Sequence, residues 1–216
     1  MIHVYGLARG VRALPARRGI GGAPIRSEQI ADIVAVVSDV DAEPERQEGA
    51  LAHGLVVEEL AERAEAVLPA RYGERFGDSA ALTTSISERL PKLHERLAAV
   101  AGCVELRVRL MGNAGPPPPR ARSGTEYMQR KLEESRARRR VAAMVDEPLQ
   151  RYVRATVDHA SASGFVHDTS YLVRREDVDP FRSVVDEFAA AHRELTLVCT
   201  GPWAPYTFAG DGEGAP

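Results

Sequence analysis

Two hydrophobic periods alternate along this chain of 216 residues, and they constrain its fold more than any other feature. Strict alternation of apolar and polar side chains from Cys103 to Met111 predicts a half-buried strand, and the β-branched run at residues 33–38 predicts a buried one. Apolar side chains recur at helical spacing over residues 46–67 and again over 78–101. Strands and helices mixed in this way predict an α+β protein.

Prolines and a cap set the expected limits of the helices. Pro69 is expected to end the first helix, and Pro91 to kink or split the second. Ser123 with Glu126 has the pattern of a capping box, which opens a long helical region to about residue 160. Four side chains near the end of that region are assigned to its apolar face: Tyr152, Val153, Thr156 and Val157.

The order of elements predicts two domains and a tail. Residues 1–101 are assigned to an N-terminal α+β domain, and residues 102–201 to a C-terminal ferredoxin-like α+β domain. In that second domain the strand beginning at Cys103 is expected to neighbour the strand ending near Thr200. Residues 202–216 form an extended aromatic tail that is expected to be disordered after about residue 208, because the sequence there is rich in glycine.

The tail carries the sequence Gly-Pro-Trp-Ala-Pro-Tyr-Thr-Phe from Gly201 to Phe208. Its two prolines fix φ and remove two backbone donors, which excludes a central strand or a helix interior. Trp203, Tyr206 and Phe208 carry large apolar surfaces that need cover. We therefore expect the tail to latch onto its own chain near residues 68–76, at the junction of the two halves, with partner binding as the alternative.

Bulk properties exclude several classes of protein. The formal net charge is -3, which gives no overall attraction to nucleic acid or to an anionic membrane. No apolar run is long enough to span a bilayer, and the N-terminal sequence does not resemble a signal peptide. Two cysteines in apolar surroundings fit reduced thiols, so a cytoplasmic protein is expected.

The strongest local charge is the basic run Arg136, Arg138, Arg139 and Arg140. Acidic residues precede the run and no aromatic residues interleave it. A solvated helix face or a basic surface for an acidic partner protein is therefore favoured over a nucleic-acid patch.

Residues 158–168 bring Ser, His and Asp close together in sequence, which leaves a small hydrolase or a nucleic-acid-associated regulator as the alternative function. The nucleophile-elbow pattern G-x-S-x-G is absent, however, and no catalytic residues are assigned. The six histidines show no metal-binding spacing, and the glycines at 21 and 22 lack the lysine of a phosphate-binding loop. No metal, cofactor or small-molecule ligand is expected.

Arg71 lies between a proline and a glycine, beside Tyr72 and Phe76. A guanidinium in such a segment is expected to stack or form an ion pair. Because nothing in the segment supplies a nucleophile or a base, Arg71 is interpreted as a clamp of the fold.

Several motifs together resemble the gas vesicle synthesis proteins of the F/L family, in that family's order and across nearly the whole chain. The most specific is the tail sequence from Gly201 to Phe208. The others are Val4-Tyr5-Gly6, Ala35–Ser38, Leu68–Phe76, Val104–Val108, Ser123–Tyr127 and Tyr171-Leu172-Val173. Tyr72, Met128 and Ala204 depart from the family's usual residues, but conservatively.

The resemblance implies a non-enzymatic assembly factor of gas vesicles with two α+β domains. It also implies contact with the small hydrophobic shell protein and with other accessory proteins, in the cytoplasm and at the vesicle. Whether the chain is F-like or L-like is left open, as is the oligomeric state.

Overall fold

The computed structural model describes residues 1–41, 46–111, 123–159 and 165–210, apart from the side chain of Arg138. The chain forms two compact units. One unit contains Met1–Val104 and also the chain from Trp203 onward, and the other contains Glu105–Pro202. The first unit is therefore assembled from both ends of the sequence.

The first unit contains an antiparallel sheet. Its five strands are β1 (Ile2–Arg9), β2 (Arg26–Ile30), β3 (Ile33–Asp39), β4 (Ala66–Pro69) and β5 (Arg75–Phe76). The order is β2-β3-β1-β4, and β5 pairs with β1 further along the same strand. Strand β1 pairs with β3, β4 and β5, and is therefore the centre of the sheet.

The N-terminal segment of this unit contributes three helices: α1 (Arg46–Arg63), α2 (Ser79–Ser87) and α3 (Leu90–Val100). Helix α1 contributes Val56, Val57 and Leu60 to the core around Tyr5. The expected break at Pro91 is present, because Pro91 lies in the first turn of α3, after α2 has ended. The side chain of Asp78 caps α2 by accepting a hydrogen bond from the amide of Ala81.

The first helix was predicted to run to residue 67, and this is wrong for residues 64–67, because α1 ends at Arg63 and a strand follows at residues 66–69. They form β4, which pairs with β1 and is buried throughout. The close pairing depends on Gly6, because a Cβ at that position would lie 3.0 Å from the carbonyl oxygen of Leu68. A four-residue apolar strand directly after a helix has too few residues to show a period of its own.

The second unit contains a four-stranded sheet and two long helices. Its elements are β6 (Cys103–Met111), α4 (Gly124–Leu149), β7 (Val153–Asp158), β8 (Phe165–Arg174), α5 (Val178–Ala191) and β9 (Thr196–Trp203), where the start of β6 and the last residue of β9 already belong to the first unit. The strand order is β7-β8-β6-β9, so β6 lies beside β9 as predicted. Its core includes Leu106, Val108, Tyr171 and Phe181.

The long helix ends earlier than predicted. Helix α4 begins at the Ser123 cap, whose hydroxyl accepts from the amide of Glu126, and it ends at Leu149. Residues 153–158, which were assigned to the helix, form β7 and pair with β8. The prediction failed because this edge strand exposes most of its side chains, and its short sequence fits a helical period as well as a strand period.

The tail is not extended over its full length. Residues Gly201–Trp203 continue β9, an edge strand, which tolerates the missing donor of Pro202. The chain then forms a short helix, α6 (Tyr206–Ala209), so the extended tail predicted from residue 202 is wrong for this stretch. The disorder predicted after about residue 208 falls mostly on residues 211–216, which lie outside the described residues.

Candidate functional site

A cleft of about 500 Å³ opens on the first unit, and we call it the Arg71 cleft. Its walls come from β1, from β4 and the turn after it, from α3 with the residue before it, and from α6. The side chains that define its character are Leu68, Arg71, Glu74, Arg89, Leu93, Arg96 and Tyr206. Three arginines and one glutamate on apolar walls give the cleft a positive lining.

Small residues anchor the tail to this unit. Ala204 is 2% exposed and belongs to the same core as Tyr5 and Leu60. Pro205 is also buried, and α6 then packs against β4. The amide of Tyr206 donates to the carbonyl of Ala204 at 2.8 Å, which closes a tight turn between the anchor and the helix.

The aromatic side chains of the tail were expected to bury their surfaces, and for two of them this is wrong. Trp203 is 47% exposed and Tyr206 is 39% exposed, whereas Phe208 is half-buried. Burial of part of the ring, with the charge of Glu58 nearby, raises the pKa of the Tyr206 hydroxyl. The buried residues Ala204 and Pro205 therefore hold the neighbouring side chains of Trp203 and Tyr206 in positions that are partly exposed to solvent.

Arg71 does not act as the clamp that its sequence context predicts. Its side chain is exposed, and within the described ranges its guanidinium makes no hydrogen bond or ion pair. Only its backbone carbonyl is engaged, by the amide of Glu74 at 3.1 Å. Arg71 follows the end of β4 and begins the turn that this hydrogen bond closes. A charged group without a partner on the rim of a cleft is available to a ligand or a protein.

The predicted residues therefore separate into two groups. Arg71 and Tyr206 line the same cleft. Tyr72 packs instead against the core of the unit, and Phe76 lies in β5 opposite Ile2.

A buried pair of histidines went unrecognised in the sequence. His3 in β1 and His53 in α1 are joined by a 2.9 Å hydrogen bond from Nε2 of His3 to Nδ1 of His53, and Nε2 of His53 lies 3.0 Å from the carbonyl of Ala70. Because a carbonyl only accepts, His53 holds its proton on Nε2 and His3 donates from its own Nε2. The two residues are fifty positions apart, so no sequence spacing could reveal them.

Burial keeps this pair neutral. Desolvation, followed by the proximity of His53 and Arg75, lowers the pKa of His3 to about 4. Burial also lowers the pKa of His53, partly opposed by the hydrogen bond to Ala70. The rings of Tyr5 and Tyr72 contact both histidines. This cluster supports the turn that carries Arg71.

The Ser, His and Asp residues of the second unit form structural bonds. The Ser170 hydroxyl donates to Oε1 of Glu105 at 2.8 Å, and Nε2 of His159 lies 2.8 Å from the same hydroxyl oxygen. A serine that gives its proton to a carboxylate is not activated by the histidine, and Ser170 is fully buried. Ser161 and Ser163 lie outside the described residues.

The remaining acids of this cluster are also engaged. Arg107 holds Asp168 through two hydrogen bonds of 2.7 and 2.8 Å, and the Thr169 hydroxyl donates to Asp158 at 2.8 Å. These contacts tie β6, β7 and β8 together. A cleft of about 310 Å³ beside them is lined by residues including Asp146, Arg154 and Tyr171, and Tyr171 donates to Asp146.

The basic run lies in the middle of α4. Arg136, Arg139 and Arg140 are exposed, and Arg139 donates to the Ser135 hydroxyl at 3.3 Å. Across the described part of the chain, no acidic side chain pairs with any of these three. The side chain of Arg138 lies outside the description.

Two general properties narrow the class of protein. Among the described residues, no three His, Cys, Asp or Glu side chains are grouped to hold a metal ion. No helix in those ranges is long and apolar enough to cross a membrane. The fold is thus that of an α+β protein with two units. Its two exposed charged surfaces are the Arg71 cleft on the first unit and the basic run of α4 on the second.

Comparison with known proteins supplies the family. The model of the family described as gas vesicle synthesis protein GvpL/GvpF matches residues 1–210. The chain is 29% identical to gas vesicle protein F1 of Halobacterium salinarum over 195 residues, covering 88% of this chain and 84% of that protein. The crystal structure of gas vesicle protein GvpF from Microcystis aeruginosa has the same fold, with a TM-score of 0.82, 18% identity and coverage of 97% and 98%. The chain belongs to the gas vesicle synthesis protein GvpL/GvpF family.

Proposed function

We propose that this protein is a non-enzymatic accessory factor that binds the hydrophobic gas vesicle shell protein and supports nucleation or assembly of the vesicle. The observation that carries the proposal is the Arg71 cleft, where Tyr206 is exposed beside an arginine with no partner in the described chain. In this proposal the protein acts in the cytoplasm and at the vesicle, together with other gas vesicle proteins.

Wall assembly explains why such a surface is useful. A gas vesicle wall needs a subunit so apolar that it aggregates unless it is shielded before assembly. Aromatic rings on a rigid anchor offer apolar contact area at a small cost in conformational entropy, since each has only two side-chain torsions. An arginine at their edge pairs with a carboxylate and fixes the orientation of the bound subunit.

The anchored tail supports this reading. Ala204 and Pro205 hold α6 in place, so Trp203 and Tyr206 are presented without first having to be ordered. Preorganised contact surfaces bind more tightly because less entropy is lost. The tail is thus both a latch, through its small residues, and a contact surface, through its aromatic ones.

We further propose that the second unit is a ferredoxin-like domain that serves as a second platform. The succession strand, helix, strand, strand, helix, strand supports this, as does the order β7-β8-β6-β9 with the first and last strands adjacent. Among the described residues nothing favours the hydrolase alternative, because Ser170 donates to Glu105 and is buried.

The test is direct binding of the purified shell protein to the full-length chain. Arg71→Ala combined with Tyr206→Ala is expected to weaken binding by about tenfold or more, since one ion pair and one aromatic contact are lost. Leu51→Ala is the matched control, because Leu51 is 65% exposed on α1 of the same unit, away from the cleft. Equal binding by the double variant and the control would overturn the proposed site. Loss of vesicles on deletion of the gene, seen by microscopy, tests the wider role.

A further inference from the structure

Helix α4 is anchored by only part of its length. Its 26 residues extend about 39 Å, because each residue adds about 1.5 Å. Val145 and Leu149 are buried near its end, where the helix contacts α5 and β8. From Gly124 to Arg140, by contrast, no side chain whose burial is described is buried. The first two-thirds of the helix therefore lies uncovered by the described chain.

This uncovered part carries large apolar side chains. Met128 is 67% exposed and Leu132 is 47% exposed, and Tyr127 beside them is also exposed. Met128, Leu132 and Arg136 follow one another at intervals of four residues, which places them on one face of the helix. Exposed apolar side chains in such a row are typical of a contact surface.

The same face ends in unpaired positive charge. Arg136 is joined there by Arg139, one turn further on, with Arg140 at its edge. Within the described residues none of the three has an acidic partner, whereas Lys131 earlier in the helix is already paired with Glu134 at 3.0 Å. The apolar part of the face is thus followed by a cluster of guanidinium groups in which only Arg139 has a described bond, to the Ser135 hydroxyl, so that the charges can pair with a partner's carboxylates.

We propose that residues 127–140 of α4 form a docking face for an acidic amphipathic helix of a partner protein. The apolar stripe of such a helix covers Met128 and Leu132, and its Asp or Glu side chains pair with Arg136, Arg139 and Arg140. An acidic helix fits better than nucleic acid, because phosphates would engage the arginines and leave Met128 and Leu132 in water. This face is separate from the Arg71 cleft and does not depend on it.

The test uses the full-length protein and a fluorescent synthetic peptide of about 18 residues, five helical turns, with a leucine stripe flanked by glutamates. A second peptide carries lysine in place of each glutamate. Fluorescence anisotropy is expected to show that the acidic peptide binds about tenfold or more tightly than the basic one. A short DNA duplex serves as the competing probe, and tighter binding of the duplex than of the acidic peptide would overturn the proposal.

Two matched triple variants distinguish binding at residues 127–140 from a general attraction between the protein's net charge and the peptide. One triple variant combines Arg136→Glu, Arg139→Glu and Arg140→Glu. It is expected to bind the acidic peptide about tenfold or more weakly than the unmodified protein does, and to bind the basic peptide more tightly. Arg18→Glu, Arg46→Glu and Arg193→Glu change the net charge equally at exposed sites elsewhere, and are expected to retain binding. Equal losses in the two triple variants would overturn the proposal.

Two further variants complete the design. Met128→Ser with Leu132→Ser is expected to weaken binding of the acidic peptide. The melting temperature is expected to stay within about 2 °C of that of the unmodified protein, because both side chains are already exposed. Unchanged affinity in this variant would contradict an apolar contact. Arg71→Ala with Tyr206→Ala is expected to leave peptide binding unchanged, so failure here is distinguishable from failure of the shell-protein site.

Discussion

Arg71 and Arg107 show how much the surroundings of an arginine decide its role. Arg71 is exposed and has no hydrogen-bond or ion-pair partner within the described ranges. Arg107 donates two short hydrogen bonds to the carboxylate of Asp168. The side chain of Asp168 is only 6% exposed. The first arginine is free to bind other molecules, whereas the second stabilises its own unit.

Arg107→Met is expected to lower the free energy of unfolding by about 2–3 kcal/mol, because it leaves the carboxylate of Asp168 buried without its partner. Chemical denaturation followed by circular dichroism measures the change. Arg71→Ala is the comparison, with an expected change within about 0.5 kcal/mol. A larger loss of unfolding free energy for Arg71→Ala than for Arg107→Met would show that Arg71 is the clamp of the fold that the sequence alone predicts.

The histidine pair makes the first unit sensitive to acid. Because the pKa of His3 falls from 6.5 to about 4 on folding, the unfolded chain binds a proton in this range that the folded chain does not. Stability from this group is complete above about pH 6.5 and is lost as the pH falls toward 4, by about 3 kcal/mol in total. The proton would enter at Nδ1 of His3, which is buried and has no hydrogen-bond partner among the described residues.

His3→Phe keeps an aromatic ring in the same space and removes the titrating group. Thermal unfolding between pH 7 and pH 4 is expected to show a smaller fall in melting temperature for this variant than for the unmodified protein. His94→Gln is the control, since His94 lies on the surface beside Asp32 and its loss leaves the buried pair intact. An unchanged pH profile in His3→Phe would mean that other groups cause the acid sensitivity.

Individual elements differ in how far their sequences specify them. Strand β6 and the split between α2 and α3 could be predicted, because a nine-residue alternation and a proline in a helical stripe are strong local signals. Strands β4 and β7 could not, since four and six residues fit two periods equally well and only their pairing with β1 and β8 decides. The same limit hid the bond between His3 and His53, which exists only after α1 packs on the sheet.

The tail is specified by its sequence only in part. Its prolines exclude a central strand, but the residues that are buried are Ala204 and Pro205, and not the large aromatic side chains beside them. Size predicts how much surface a side chain can bury, and does not predict which side of a turn faces the core.

Ala204→Asp is therefore expected to destabilise the first unit more than loss of either neighbouring ring. An aspartate there would lie among Tyr5, Leu60 and other apolar side chains without a partner, at a cost of about 2 kcal/mol or more. Trp203→Ala removes a half-exposed ring and is expected to cost about 1 kcal/mol or less. Urea denaturation compares the two, and the reverse order would show that the tail is held by its aromatic residues.

At the scale of the whole molecule, the chain leaves the first unit at Val104 and returns to it at Trp203. Each unit has its own core, one around Tyr5 and Leu60 and the other around Leu106 and Phe181. Loss of the segment that begins at Trp203 should therefore destabilise the first unit and leave the stability of the second unit unchanged.

A truncation after Pro202 tests this division. Hydrogen exchange is expected to lose protection in β1, β3 and β4, whose core normally includes Ala204, and to keep it in β8. The full-length chain measured alongside gives the reference for each strand. Equal loss of protection in β8 would mean that the two units unfold together.

The return of the chain also fixes an order of events during synthesis. Every residue of the second unit, Glu105–Pro202, leaves the ribosome before Ala204 does. The second unit can therefore complete its core while the first still lacks a buried residue, although domains are usually finished from the N-terminus onward. The exposed rings of Trp203 and Tyr206 are set in place when Ala204 is buried, so a nascent chain presents them only after Glu105–Pro202 has been made.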